Sequence, residues 1–72
     1  MPRPRILIVD DEASVNTALK LILGEQDLHI ETARTVAEAT NCFGGRPFDL
    51  VLTDLRLPDG TGIDLLMRIK ED

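Results

Sequence analysis

A single cysteine, Cys42, stands in 72 residues, so no disulfide can form within the chain and a fold held by cross-links is excluded. No apolar stretch approaches the roughly 20 residues that span a bilayer. The start Met1-Pro2-Arg3-Pro4-Arg5 also lacks the long apolar region that would follow in a secretion signal. These absences predict a soluble, cytoplasmic chain with no membrane contact. Basic residues are scarce too. Eight Lys and Arg against thirteen Asp and Glu give a net charge of −5, whereas binding a phosphate backbone needs clustered cations. No nucleic-acid surface is expected in this segment. Length sets the last bound, a single small domain with a thin core, because a chain this short buries only about 60% of the surface its unfolded form exposes.

What is present is a regular alternation of strand and helix signals. Ile6 to Val9 is a short aliphatic run without alternation, the pattern of a parallel strand covered on both faces. A helix is predicted from about Glu12 to Leu23, with Val15, Ala18, Leu19 and Ile22 at i, i+3, i+4 and i+7 as its inward stripe and Gly24 as its stop. Leu28 to Thr32 alternates apolar and polar residues, which predicts a strand at the sheet margin with one solvated face. The second helix opens on Thr35-Val36-Ala37-Glu38, a capping-box pattern, turns Val36, Ala39 and Phe43 inward and stops at Gly44-Gly45. Phe48 to Thr53 reads as a third strand. A Leu57-Pro58-Asp59-Gly60-Thr61-Gly62 loop then leads to a third helix with Ile63, Leu66, Met67 and the stem of Lys70 on one face.

Strands alternating with helices predict an α/β fold with a parallel sheet and right-handed crossovers. Charges are tolerated only where a doubly covered strand leaves the core, and Asp10, Asp11 and Asp54 sit at such carboxyl ends. The strand order 2-1-3 makes the first and third strands neighbours and gathers the three acids at one crevice, at a reversal of winding where open α/β sheets bind ligands. The order 1-2-3 would separate them, so 2-1-3 is predicted. Two carboxylates near 4 Å repel by about 4 kcal/mol at an effective dielectric of 20. Either a proton or a cation must relieve this, and among cations Mg²⁺ suits one or two carboxylates together with phosphate oxygens. The chemistry implied is phosphoryl handling, with an aspartate as the nucleophile.

In these residues the chain resembles the receiver domain of two-component response regulators. The matching motifs are Ile6-Leu7-Ile8-Val9-Asp10-Asp11-Glu12, Phe48-Asp49-Leu50-Val51-Leu52-Thr53-Asp54 and Leu57-Pro58-Asp59-Gly60-Thr61-Gly62. The resemblance implies a flavodoxin-like fold and a signalling module rather than a stand-alone enzyme. It makes Asp54 both the phospho-acceptor and a metal ligand, Asp11 a direct Mg²⁺ ligand, Asp10 a ligand acting mostly through water, and the backbone carbonyl of Arg56 a further ligand. The implied partners are a sensor histidine kinase and the regulator's own output domain. The stretch from Thr53 to Gly62 looks most like receivers of regulators that activate the sigma-54 form of polymerase. A receiver of full length carries a fourth and a fifth βα unit, ending in a Ser or Thr and in a Lys that contact the phosphoryl group. Residues 1–72 correspond to the first three units. The expectation is a truncated receiver whose phosphorylation is impaired or lost.

Blander readings exist for each part. Asp10 and Asp11 suit the start of a helix, Asp54 a turn and Asp59-Gly60 a loop, and only their joint spacing argues otherwise. Haloacid-dehalogenase-like hydrolases also phosphorylate an aspartate after a first strand, but they want Asp-x-Asp where this chain has adjacent Asp10-Asp11. The alternative function is a non-catalytic receiver fragment that self-associates through an exposed third strand, whose Leu50, Val51 and Leu52 carry neither protective charge nor proline.

Overall fold

The computed structural model describes residues 3–43 and 47–71, without the side chain of residue 71. Among them β1 (Arg5–Val9), β2 (His29–Ala33) and β3 (Leu50–Thr53) form one parallel sheet in the order β2-β1-β3. This is the order that the convergence of the acids predicted. The helices are α1 (Ala13–Leu23), α2 (Val36–Cys42) and α3 (Gly62–Glu71). Between β3 and α3 a small antiparallel hairpin pairs β4 (Arg56–Leu57) with β5 (Gly60–Thr61), an element the sequence reading treated as loop. No helix of the described residues is long and apolar enough to cross a membrane.

The central strand is covered on both sides, with Ile6, Leu7, Ile8 and Val9 all buried. One layer of core gathers Leu7, Val9, Ala33, Val36, Ala39, Leu57 and Leu65, with Phe43, Phe48, Val51 and Ile69 packed against it. Cys42 belongs to this layer. Burial pushes its thiol pKa up, and the charges of Glu31 and Glu38 push it further, so it packs as a small apolar group rather than a nucleophile. Helix α2 begins as its pattern predicts, with Thr35 Oγ1 accepting the Glu38 amide at 3.0 Å. The reciprocal bond of the capping box is displaced by one residue, because Glu38 Oε1 accepts from Arg34 N at 3.4 Å. The predicted stop at Gly44-Gly45 lies outside the described residues.

Three expectations about faces need correction. In α1 the inward stripe contains Asn16, which is buried, with Val15, Leu19 and Leu23 half-buried, while Ala18 and Ile22 face out. The helix is rotated because Asn16 Nδ2 donates to Asp10 O at 2.9 Å and to Ala33 O at 3.2 Å, tying it to two strand ends. In α3 the buried stripe is Gly62, Leu65 and Ile69, and Ile63, Leu66, Met67 and Lys70 are exposed. Gly62 decides this, since a Cβ there would lie 2.6 Å from Asp54 O; with Gly62 turned inward, the positions at i+3 and i+7 must follow. Both stripes of α3 are apolar, so periodicity alone could not choose between them. Finally, β3 is shorter than predicted and is not covered on both faces. Leu50 and Leu52 are 48% and 39% exposed, because α1 packs over β1 and β2 and leaves that face of β3 open.

Candidate functional site

The sheet's own hydrogen bonds carry the acids to their places. Asp10 N donates to Ala33 O at 3.0 Å, extending the β1–β2 ladder by one residue, and Asp54 N donates to Val9 O at 2.9 Å, extending β1–β3. Both aspartates therefore leave the sheet at the same level on adjacent strands. Asp11 follows on the turn into α1, where its carbonyl is gripped by Arg34 through Nε at 3.2 Å and a terminal guanidinium nitrogen at 3.0 Å. Asp10, Asp11 and Asp54 each present a carboxylate oxygen, and these oxygens lie within 4.8 Å of one another.

The bland reading of Asp10 and Asp11 as helix-capping acids can be tested against this geometry. Glu12, not either aspartate, occupies the N-cap of α1 and makes no side-chain cap bond, and the first turn holds no acid. Asp10 Oδ1 accepts from Glu12 N at 3.0 Å, which uses one of its oxygens. Among the described residues no Lys or Arg forms an ion pair with any of the three acids. Each like-charged pair costs about 1 kcal/mol even at the dielectric of water. Three hard carboxylate oxygens, partly exposed and without a protein counter-ion, form a donor set of the kind that takes Mg²⁺ with several retained waters.

The fourth expected ligand is a backbone group, so its availability is a question of ladder geometry. Antiparallel pairs alternate between hydrogen-bonded and non-hydrogen-bonded residues. Gly62 N donates to Leu55 O at 3.0 Å, which makes the next pair, Arg56 with Thr61, a non-hydrogen-bonded one. Thr61 N agrees, since it donates outward to Asp64 Oδ2 at 3.0 Å while Asp64 N donates to Thr61 Oγ1 at 3.0 Å. The Arg56 carbonyl is thus free of the hairpin's own ladder.

Four supporting residues escaped the sequence reading. Asn16 and Arg34 hold the backbone of Asp10 and Asp11, Gly62 gives the room in which the Asp54 peptide sits, and Asp59 ties the hairpin to α2. Only Asn16 had a legible signal, a poor helix former in the middle of a helix.

Comparison with known proteins identifies relatives in sequence and in fold. The family profile of the response regulator receiver domain matches residues 6–72. The response regulator protein PilR of Pseudomonas aeruginosa is 46% identical over 71 residues, which cover 99% of this chain and 16% of PilR. The regulatory protein LuxO of Vibrio cholerae is 42% identical over 89% of this chain and 14% of its own length. Among solved structures, the non-phosphorylated HemR receiver domain of Leptospira biflexa superposes with a TM-score of 0.87 at 43% identity, covering 96% of this chain and 56% of that one. A CheY-like receiver of Methanospirillum hungatei gives a TM-score of 0.91 at 34% identity over 97% of this chain and 56% of its own. The chain spans a small part of the regulators and a little over half of these solved receivers. On its profile match, its identity to these relatives and its fold, the chain belongs to the receiver domain family of response regulators.

Proposed function

We propose that residues 1–72 are the first three βα units of the receiver of a two-component transcriptional regulator, and that Asp54 is its phospho-acceptor. The observation that carries this reading is the convergence of Asp10, Asp11 and Asp54 within 4.8 Å at the carboxyl end of β1 and β3, without a protein cation among the described residues. Asp11, Asp54 and the Arg56 carbonyl would hold Mg²⁺ directly, and Asp10 would act mostly through water. Bound there, the cation offsets the carboxylate charge and the charge that develops on a transferred phosphoryl group.

Asp54 supplies the nucleophile. One carboxylate oxygen forms an O–P bond while the P–N bond of a phosphohistidine breaks, and the departing imidazole nitrogen takes a proton from solvent. The donor is a sensor histidine kinase in the cytoplasm and the reader is the regulator's own output domain, so the module passes a signal and is not an enzyme in its own right. Within residues 1–72 alone the transfer is slow, since among the described residues no Lys or Arg pairs with the acids.

Acetyl phosphate with Mg²⁺, followed by borohydride trapping and peptide mass spectrometry, tests the assignment. The label is expected on Asp54. Label on Asp59 or Asp64, or none in a full-length receiver that contains these residues, overturns it. Because the chain has no Trp or Tyr, Mg²⁺ binding is best followed by calorimetry. There Asp11→Ala should lose most of the affinity and Asp27→Ala none.

A second reading has an observation of its own. Among the described residues β3 pairs only with β1, so one side of its backbone is open, flanked by exposed Leu50 and Leu52. In this reading the chain self-associates, as a two-fold dimer in which two β3 strands pair antiparallel and close the contact. Sedimentation over a range of concentrations decides it, and a well-folded monomer at the highest concentration ends it.

A further inference from the structure

The β4–β5 hairpin contributes one backbone carbonyl to the proposed site, yet its tip is bound to a different element. Asp59 Oδ1 accepts the amide of Val36 at 2.7 Å and Oδ2 accepts that of Ala37 at 2.9 Å, across 23 and 22 residues of sequence. These are the first two amides of α2. The third, Glu38 N, is held by Thr35 Oγ1, and Ala39 N makes the first intrahelical bond to Thr35 O. Every free donor at the start of α2 is thereby satisfied, two of them by the hairpin. A helix of 7 residues is far below the length that is stable alone, so its first turn depends on such contacts.

The hairpin's other attachments lead back to the acids. Leu57 is buried in the core cluster that Val36 and Ala39 of α2 and Leu65 of α3 also enter. Gly62 N holds Leu55 O at 3.0 Å, and its Cα is seated so closely that a Cβ would lie 2.6 Å from Asp54 O. Arg56 lies between these anchors and the tip. Pro58, with its fixed φ, leaves little slack between Arg56 and Asp59. A displacement of the Arg56 carbonyl must move the tip, and movement of the tip must pull Asp59 from Val36 and Ala37.

We infer that Asp59 is a positioning residue that couples cation binding at the acid cluster to the first turn of α2, by holding the hairpin so that the Arg56 carbonyl serves the site. This rests on the proposed reading of Asp10, Asp11 and Asp54 as a Mg²⁺ site. Coupling of this kind is reciprocal: whatever factor the clamp adds to Mg²⁺ affinity, Mg²⁺ adds to the closing of the clamp.

Calorimetry with MgCl₂ and amide exchange by NMR test both directions on the same chain. Asp59→Ala should bind Mg²⁺ about tenfold more weakly, the low end of what loss of a supporting residue does. In the parent chain Mg²⁺ should slow exchange of the Val36 and Ala37 amides, and in Asp59→Ala it should not. Asp59→Asn keeps one acceptor oxygen and should fall between the two, which preserves the test if the alanine variant unfolds. Parent-like Mg²⁺ affinity in a folded variant whose Val36 and Ala37 amides exchange fast would overturn the coupling while leaving the metal site intact. Failure of the parent chain to bind Mg²⁺ removes the site reading and the coupling with it. Asp11→Ala separates the two claims, since it should lose most of the Mg²⁺ affinity yet keep the metal-free protection of Val36 and Ala37.

Discussion

The two ends of the sheet treat charge in opposite ways. At the amino end Arg5 is enclosed by partners: its guanidinium donates to Glu31 Oε2 at 2.9 Å and to Pro47 O at 3.2 Å, and lies 4.8 Å from the centre of the Phe48 ring. Its own amide is held by Asp49 Oδ2 at 2.7 Å, and His29 Nε2 shares the same Glu31 oxygen at 2.9 Å. At the carboxyl end three carboxylates meet one another instead, with, among the described residues, a single backbone donor on Asp10. At the amino end Glu31 and Asp49 are consumed by the fold. The acids of the carboxyl end are left with binding capacity unused, at a cost in stability, which is what a site for an external cation and phosphoryl group requires.

The largest effect should come from filling the space beside Asp54. In Gly62→Ala the new methyl group would start 2.6 Å from Asp54 O and 3.0 Å from Thr53 Cγ2, and the first of these is backbone that cannot rotate aside. Overpacking of this kind costs about 1–3 kcal/mol. It should also displace the Asp54 peptide from its ladder bond to Val9, so phosphorylation falls together with the urea midpoint. A variant as stable as the parent would mean that the acid-bearing end of β3 yields more easily than the ladder suggests.

Neutralising one acid at each end should give effects of opposite sign. Asp54→Asn removes two like-charged contacts and should stabilise the metal-free chain at low salt by about 2 kcal/mol. Glu31→Gln weakens the pairing with Arg5 and His29 and should destabilise it by about 0.5–1 kcal/mol, a partly exposed pair being worth no more. Added salt should shrink both differences. Thermal melts of the two variants with and without Mg²⁺ measure the signs, and Mg²⁺ should reverse only that of Asp54→Asn. Two changes of the same sign would erase the distinction between the ends.

How much of this could be read in advance depended on the range of the interaction. The aliphatic run Ile6–Val9 and its following acids are local features, and they carried the strand order β2-β1-β3 because only that order brings Asp54 beside Asp10. The faces of α1 and α3 were misread because each is decided by one contact distant in sequence, Asn16 with Ala33 and Gly62 with Asp54. Arg34 and Asp59 act through backbone partners 23 and 22–23 residues away, and a residue type says nothing about which distant amide or carbonyl it will meet. The Arg56 carbonyl could be expected only from family resemblance, since a backbone acceptor has no signature in the sequence.

The smallest effect tests whether position or pairing makes the difference between the ends. Asp59 belongs to the same hairpin as Arg56, yet both its oxygens are occupied. The amides of Val36 first, and then of Ala37, hold its carboxyl pKa below the ordinary value of 3.8. A depressed carboxyl stabilises the folded chain fully above the pKa of the unfolded state, and that contribution is lost as the pH falls through the folded value. Asp59→Asn cannot lose a charge it does not have. Its stability should therefore fall less steeply than the parent's as the pH drops below 3.8, although it starts lower at neutral pH. The gap between the two should be modest, because this carboxylate is at the surface and solvent screens it. Urea denaturation at a series of acid pH values without Mg²⁺, with Asp27→Asn as the control for an exposed acid paired at 4.0 Å with Arg3, measures the difference in slope. Parallel curves for the parent and Asp59→Asn would place Asp59 among the unused acids and reduce the contrast between the ends to one of location.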